Sequence, residues 1–199
     1  MWPNFDGKPY DRDALAARIN ACDFSTWKNK SGSPGKPAFI TLHNTANPSL
    51  EDWLSWSPEK RQGYIKNVQV YYEKEKHWLG GPHFFVTPQD DICAFGFNDL
   101  LSAGTHASCF NNNSIGIEMV GDFGKEAFDT GPGAKVAENA IYLLALLHRQ
   151  IGITPLPYVY NKSGLHFHLE CKADAHPCPG GQVDKADIVA RVQAKMAQL

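Results

Sequence analysis

The chain has 199 residues, 43% of them hydrophobic and 20% charged, and a formal net charge of −2 at pH 7. That composition suits one globular domain with a sizeable core. The near-neutral balance and scattered lysines lack the basic footprint of a nucleic-acid binder. The opening MWPNFDGKPY has no basic segment leading into an apolar run, and no stretch is long and apolar enough to span a bilayer. The expectation is a monomer without signal peptide or membrane insertion, synthesised in the cytoplasm.

Taken in chain order, Asp11 caps a short helix to Ala21 in which Leu15, Ala16 and Ile19 recur at helical spacing. The KNKSGSPGKP stretch breaks the chain ahead of AFITLH, a short β-rich run that delivers His43 at its C-terminal end. Trp53 and Trp56 fall in a loop or short helix. Glu59 to Lys76 reads as a helix with Ile65, Val68 and Tyr72 on one stripe, ending before the Gly80-Gly81-Pro82 turn. HFFVTPQDDICAFGF holds two apolar runs around a Pro88–Asp91 turn, a hairpin or two adjacent strands. SIGIEMVG is a further strand, with Ile115, Ile117 and Met119 on one face and Gly116, Glu118 and Val120 on the other.

Ala134 to Ile151 is the clearest helix, its apolar stripe of Val136, Ala140, Leu143, Leu144, Leu147 and Ile151 stopped by Gly152. After a loop containing Pro155 and Pro157, GLHFH is a short strand bringing in His168, and Asp184 to Gln198 closes the chain as an amphipathic helix. This order predicts an α/β fold, one domain over residues 1–199 with a mixed central β-sheet flanked by helices and residues 1–37 as an extension packed on it. The five cysteines, Cys22, Cys93, Cys109, Cys171 and Cys178, are odd in number and irregularly spaced, so most are expected to be reduced, buried thiols.

The most informative stretch is HFHLECKADAHPCPG. His168 and Cys178, read with His43 at the end of a predicted strand, suggest a zinc site, because imidazole and thiolate are donors that Zn²⁺ prefers. Three protein ligands with one open position mark a catalytic centre, whereas a structural site wants a fourth, which His166 or His176 could supply. Each residue alone has a plainer reading: His43 as a hydrogen-bonded core histidine, Cys178 as a small buried hydrophobe, Glu118 as a strand residue paired with a lysine, His176 as a loop residue. His166 shares a strand face with His168 and is its rival as a ligand.

LHNTA at His43, GPHFFV, the THAS segment ahead of SIGIEMVG, and HFHLECKADAHPCPG together resemble the zinc-dependent N-acetylmuramoyl-L-alanine amidases, the type-2 amidases that share a fold with peptidoglycan recognition proteins. The resemblance runs from about Ala38 to Gly180 and is nearest to compact amidases from phages and prophages of Gram-negative bacteria. It implies one Zn²⁺ per chain on His43, His168 and Cys178, and Glu118 as the acidic residue that assists the attacking water. His176 stands where many relatives carry a lysine and would stabilise the oxyanion, a contribution of roughly 2.7 to 4 kcal/mol in such sites. The tyrosine of other relatives falls at Pro82, so that role is missing here and more weight falls on Glu118.

The resemblance further implies peptidoglycan or a muropeptide as substrate, cut between the lactyl group of N-acetylmuramic acid and L-alanine. The chain would act as an endolysin on the wall after release from the cell. A cytoplasmic muropeptide-recycling amidase, an injected effector or a non-catalytic recognition module are the alternatives. Asn44 and Thr45 could bond the substrate or merely cap a turn, and His106 could face the substrate or bond a ligand from behind. Trp53, Trp56 and Trp78 either stack on glycan or support loops. His83 is expected to be structural, His77 and His148 solvated, and Asn111 to Asn113 a turn.

Overall fold

The computed structural model describes residues 9–78, 80–89, 94–96, 100–155, 164–174 and 176–199. In chain order these form β1 (Pro9–Tyr10), α1 (Arg12–Asn20), β2 (Phe39–Asn44), α2 (Leu50–Ser55), α3 (Pro58–Val70), β3 (Phe84–Val86), β4 (Ala94–Gly96), β5 (Ser114–Met119), α4 (Gly131–Ile151), β6 (Gly164–Phe167) and α5 (Lys185–Met196). The strands make one six-stranded sheet ordered β1-β4-β3-β5-β2-β6. β2 pairs in parallel with β5 and β6, and β5 in parallel with β3, whereas β4 runs antiparallel to β3 and β1. The α/β fold with a mixed sheet is the one expected. The start of the chain at 1–8, Cys93, Pro157 and part of the Pro88–Asp91 turn lie outside the described residues.

Parallel strands need crossover connections, and the crossovers cover the sheet on both faces. Ile40, Leu42, Ile115, Ile117 and Met119 meet α4 and α5 in the main core, which also takes Leu15 and Ile19 of α1. On the opposite face Phe85 and Val120 pack with Trp53 and Ile65 from the α2–α3 side. β5 is therefore buried along its whole length. Its alternation sorts side chains between two covered faces rather than between core and water.

Most helix boundaries fall close to the expected ones. Asp11 caps α1 by accepting from Ala14 N at 2.7 Å, and Asp184 caps α5. α4 starts three residues before Ala134 because Pro132 fits a first turn, where its missing N–H costs no hydrogen bond. Gly152 ends it at φ 74°, in the left-handed region that favours glycine.

Three expectations are corrected. His148 is not solvated: in the last turn of α4 it points inward, its Nδ1 lies 3.0 Å from Ile153 O, and burial pushes its pKa down to about 4. α3 stops at Val70, and Tyr71–Glu75 continue as a π-helical turn rather than α-helix. Cys109 and Cys171 are joined in a disulfide, leaving Cys22 and Cys178 as thiols among the described residues. Odd count and irregular spacing describe composition, whereas pairing depends on which segments the fold makes neighbours, here two loops 62 positions apart. Among the described residues, no helix is long and apolar enough to cross a membrane.

The register decides where chemistry can sit. Thr41 pairs with Gly116 and with His166, and two residues further along the strands His43 pairs with Glu118. The first row is roofed by the loop before β5: Asn111 Oδ1 accepts from His106 N and Ala107 N at 2.7 and 2.9 Å and sets the His106 ring on the sheet above Gly116. A Cβ at Gly116 would lie 2.5 Å from His106 Cγ, at the root of a buried ring with little room to yield. Gly116→Ala is accordingly expected to destabilise the fold by about 1–3 kcal/mol. Urea unfolding checks this, and an unchanged midpoint would show that the ring can move aside.

Candidate functional site

The second row of the sheet carries the candidate site. His43 lies in the last turn-out of β2, Glu118 is its register partner on β5, and His168 follows directly on β6 as the first residue of a 3₁₀ turn, His168–Glu170. Glu170 holds that turn by accepting from Phe167 N at 2.7 Å and by pairing with Lys185 of α5. Cys178 arrives from the HPCPG loop and accepts from Asn44 N at 2.9 Å. One ligand atom from each of His43, His168 and Cys178 lies within 4.8 Å of the others.

His166 is on the same face but in the first row, fully buried, with its ring stacked on Phe39 and tilted against Phe110 at 4.2 Å each. That places it in the aromatic packing beneath the site rather than among the converging donors.

Proton accounting shows what the two histidines offer. Ser114 Oγ donates to Phe110 O at 2.8 Å, so it accepts from His106 Nε2 at 3.0 Å. His106 Nδ1 is then the acceptor for His43 Nε2–H, also at 3.0 Å, and His43 Nδ1 carries a lone pair. On the other side His168 Nε2–H donates to Asp174 Oδ2 at 3.1 Å, which leaves His168 Nδ1 with a lone pair as well. The two Nδ1 atoms face each other at 3.0 Å. Two neutral acceptors at that separation repel, and a cation bonded to both relieves it.

Electrostatics favour the same state. Burial, and then the neighbouring His106 and His168, hold the His43 pKa well below its ordinary value, and burial lowers that of His168. Burial and then Glu118 push the Cys178 thiol up. A cation is what would draw the proton off that sulfur. Two imidazole nitrogens and one sulfur, buried and converging, fit a metal of borderline softness.

The pocket over these atoms has a volume of about 290 Å³. Besides the three donors and Glu118, it is lined by Asn44, Thr45, Thr105, His106, His176 and a wall of Tyr72, Trp78 and Pro82. A larger hollow of about 460 Å³ beside Cys22, Lys36 and Gln150 gathers no comparable donors. Asn44 and Thr45 spend side-chain bonds on the following loop: Asn44 Nδ2 donates to Gly121 O at 3.2 Å and Thr45 Oγ1 accepts from Gly121 N at 3.0 Å. His106 both lines the pocket and backs His43. His176 is exposed at the rim, its ring parallel to that of His168 at 4.9 Å and 6°. His83 is structural, accepting from Gly116 N through Nδ1 at 3.0 Å.

Tyr72 is the site residue that sequence reasoning missed. In a helix it reads as one more apolar-stripe position. Tyr72 packs with Ile65 and Val68 as that stripe predicts, and its ring also stacks on Trp78 with centroids 4.7 Å apart in the pocket wall. Burial first, and then Glu118, raise its phenol pKa.

Glu118 is buried in this wall and its pKa is pushed up to about 8 from an ordinary 4.5. Between those values the native state keeps a proton that the unfolded chain has released, so this group's contribution to stability falls as pH rises through that window. In metal-free protein Glu118→Gln should match the wild type below pH 4.5 and become progressively more stable than it up to pH 8. Paired thermal melts across that range with a chelator present check this; a wild type that gains on the variant with rising pH would contradict it.

Comparison with known proteins follows this geometry. The family model described as N-acetylmuramoyl-L-alanine amidase (Amidase_2) matches residues 33–181. Among solved structures, the endolysin N-acetylmuramoyl-L-alanine amidase LysCS from Clostridium intestinale URNW is 22% identical, with 87% of this chain and 90% of that one covered and a TM-score of 0.58. Drosophila peptidoglycan recognition protein PGRP-LB is 21% identical over 86% and 89% of the two chains, TM-score 0.57. Peptidoglycan recognition protein LE, solved with tracheal cytotoxin, a monomeric diaminopimelic acid-type peptidoglycan, is 19% identical over 80% and 85%, TM-score 0.54. At these identities the structural matches show the fold. A search of curated proteins gives no match.

Proposed function

The chain belongs to the N-acetylmuramoyl-L-alanine amidase family, and from that premise we propose that it hydrolyses the amide between N-acetylmuramic acid and the L-alanine of the peptidoglycan stem peptide, using one Zn²⁺ held by His43, His168 and Cys178. The observation that carries the reading is the pair of facing Nδ1 lone pairs with a sulfur in reach of the same ion, one register step from a buried carboxyl group. A bound Zn²⁺ supplies Lewis acidity there, making a water acidic near neutral pH and polarising the scissile carbonyl.

The chain's own groups account for the remaining proton traffic. Glu118 takes the proton of the attacking water and passes it to the departing amine, so that C–O forms, C–N breaks, and the products are a lactyl carboxylate and a free L-alanine amine. His176, stacked at the rim, is placed to donate toward the carbonyl oxygen as charge develops. The Tyr72–Trp78 wall offers an aromatic surface to the sugar or stem. Tyr72 stands close enough to Glu118 to feel its charge, and we assign its phenol the donor role whose usual place is taken here by Pro82.

We place this chemistry on the cell wall, with a monomer acting after release from the cell; an endolysin amidase is among the structural matches. The presence of Cys178 and Glu118 beside both histidines favours hydrolysis over recognition alone.

Two outcomes test the reading. Mass spectrometry of purified peptidoglycan should find free stem peptides beginning with L-alanine, lost on chelation and restored by Zn²⁺. Glu118→Gln should lower that rate by about 10²–10⁴-fold; intact substrate with measurable binding would replace hydrolysis by recognition. Tyr72→Phe, which keeps the stacked ring, should lower kcat by roughly tenfold with little change in KM, the loss expected for one transition-state hydrogen bond. An unaltered kcat would reduce Tyr72 to a wall.

A further inference from the structure

The second nitrogen of His168 is held by a carboxylate that is itself braced from a different part of the chain. Asp174 Oδ2 accepts from His168 Nε2 at 3.1 Å and from Ser108 N at 2.8 Å, and Asp174 Oδ1 accepts from Ser108 Oγ. Ser108 belongs to the loop that carries His106, and Asp174 to the turn that follows His168. The adjoining residue on the first segment, Cys109, is disulfide-bonded to Cys171 on the second. Cys171 N in turn donates to His168 O at 2.8 Å. The cystine thus ties together the two segments that back the two histidine ligands, directly behind the metal-facing edge. Around it the described residues include a small apolar cluster of Ala107, Phe110 and Cys171 itself.

We propose that Asp174 is a positioning residue that fixes the tautomer and heading of His168, and that the Cys109–Cys171 disulfide holds the Ser108 brace behind it, so that full metal affinity develops only when the disulfide is closed. The inference rests on the metal reading of the site given above. A carboxylate bonded to the far nitrogen of a ligating imidazole raises its basicity and holds its ring, and losing such a partner typically weakens metal binding by about 10–100-fold.

Closing the bond needs an electron acceptor, and a protein or small-molecule disulfide serves. One cysteine thiolate attacks that disulfide, the second displaces the mixed intermediate, and two electrons and two protons leave on the acceptor's two thiols. Cys109 is the exposed partner and Cys171 the buried one, so exchange starts at Cys109. In a reducing cytosol the bond opens and the brace slackens, whereas an oxidising wall compartment closes it. That device suits an amidase that is idle where it is made and competent where peptidoglycan lies, and it disfavours muropeptide recycling in the cytosol.

The test is the Zn²⁺ dissociation constant, read by competition with a chromophoric chelator on protein shown by circular dichroism to be folded. The oxidised wild type is compared with wild type reduced by a phosphine, with the Cys109→Ser/Cys171→Ser double variant, with Asp174→Asn, and with Ser108→Ala, a surface change that spares the cystine. Asp174→Asn should bind Zn²⁺ about 10–100-fold more weakly, and the reduced protein, the double serine variant and Ser108→Ala more weakly on the order of tenfold. The phosphine should leave the double serine variant unchanged. Equal affinity across the folded set, with Zn²⁺ bound one to one, would overturn the brace and leave the metal site standing. Failure of the oxidised wild type to bind Zn²⁺ would overturn the metal reading itself, and this inference with it.

Discussion

The parallel register of β2 against β5 and β6 is the constraint on which the site depends. Because His43 is paired with Glu118 and the chain beyond Phe167 continues that row, Glu118 on β5, His43 on β2 and His168 just past the end of β6 stand side by side. The row lies at the C-terminal ends of the parallel strands, where an open α/β sheet leaves a crevice. One residue of slip would send His43 and Glu118 into the α4 face. The burial of Ile40, Leu42, Ile115 and Ile117 there is what prevents it.

Around that row the polar groups are arranged so that every proton has a direction. Ser114 and His106 turn the far nitrogen of His43 into a donor, Asp174 does the same for His168, and both near nitrogens are left bare toward each other. Hydrogen bonds are usually arranged to satisfy each partner, so two buried acceptors in contact point to a guest that is positively charged. The sheet supplies position, the loops before β5 and after β6 supply tautomer, and the Cys109–Cys171 bond fastens those loops to each other. In the metal-free protein, burial keeps Glu118 hard to ionise.

Much of this was legible in the residues. Periodicity located α1, α4 and α5 and the strands around His43 and Glu118 within a few positions, because each is long or bounded by Gly, Pro or a capping aspartate. The choice of His168 over His166 was not settled by alternation, since both share a face. In the fold β6 ends at Phe167 and His166 lies one row down, its ring against Phe39 and Phe110. His148 was misread because an exposed helix end and an inward histidine bonding Ile153 O look alike in sequence. The place of Tyr72 in the pocket wall and the Cys109–Cys171 pairing were hidden because their partners are brought together only by the fold. What escaped was three-dimensional adjacency rather than local preference.

The central claim, that His43, His168 and Cys178 form one metal centre, is tested most directly by zinc-edge X-ray absorption of the loaded protein. The account predicts one sulfur near about 2.3 Å and two imidazole shells with nitrogen near about 2.0 Å, the sulfur lost in Cys178→Ser. A spectrum without sulfur, or one with sulfur that survives that substitution, would contradict it.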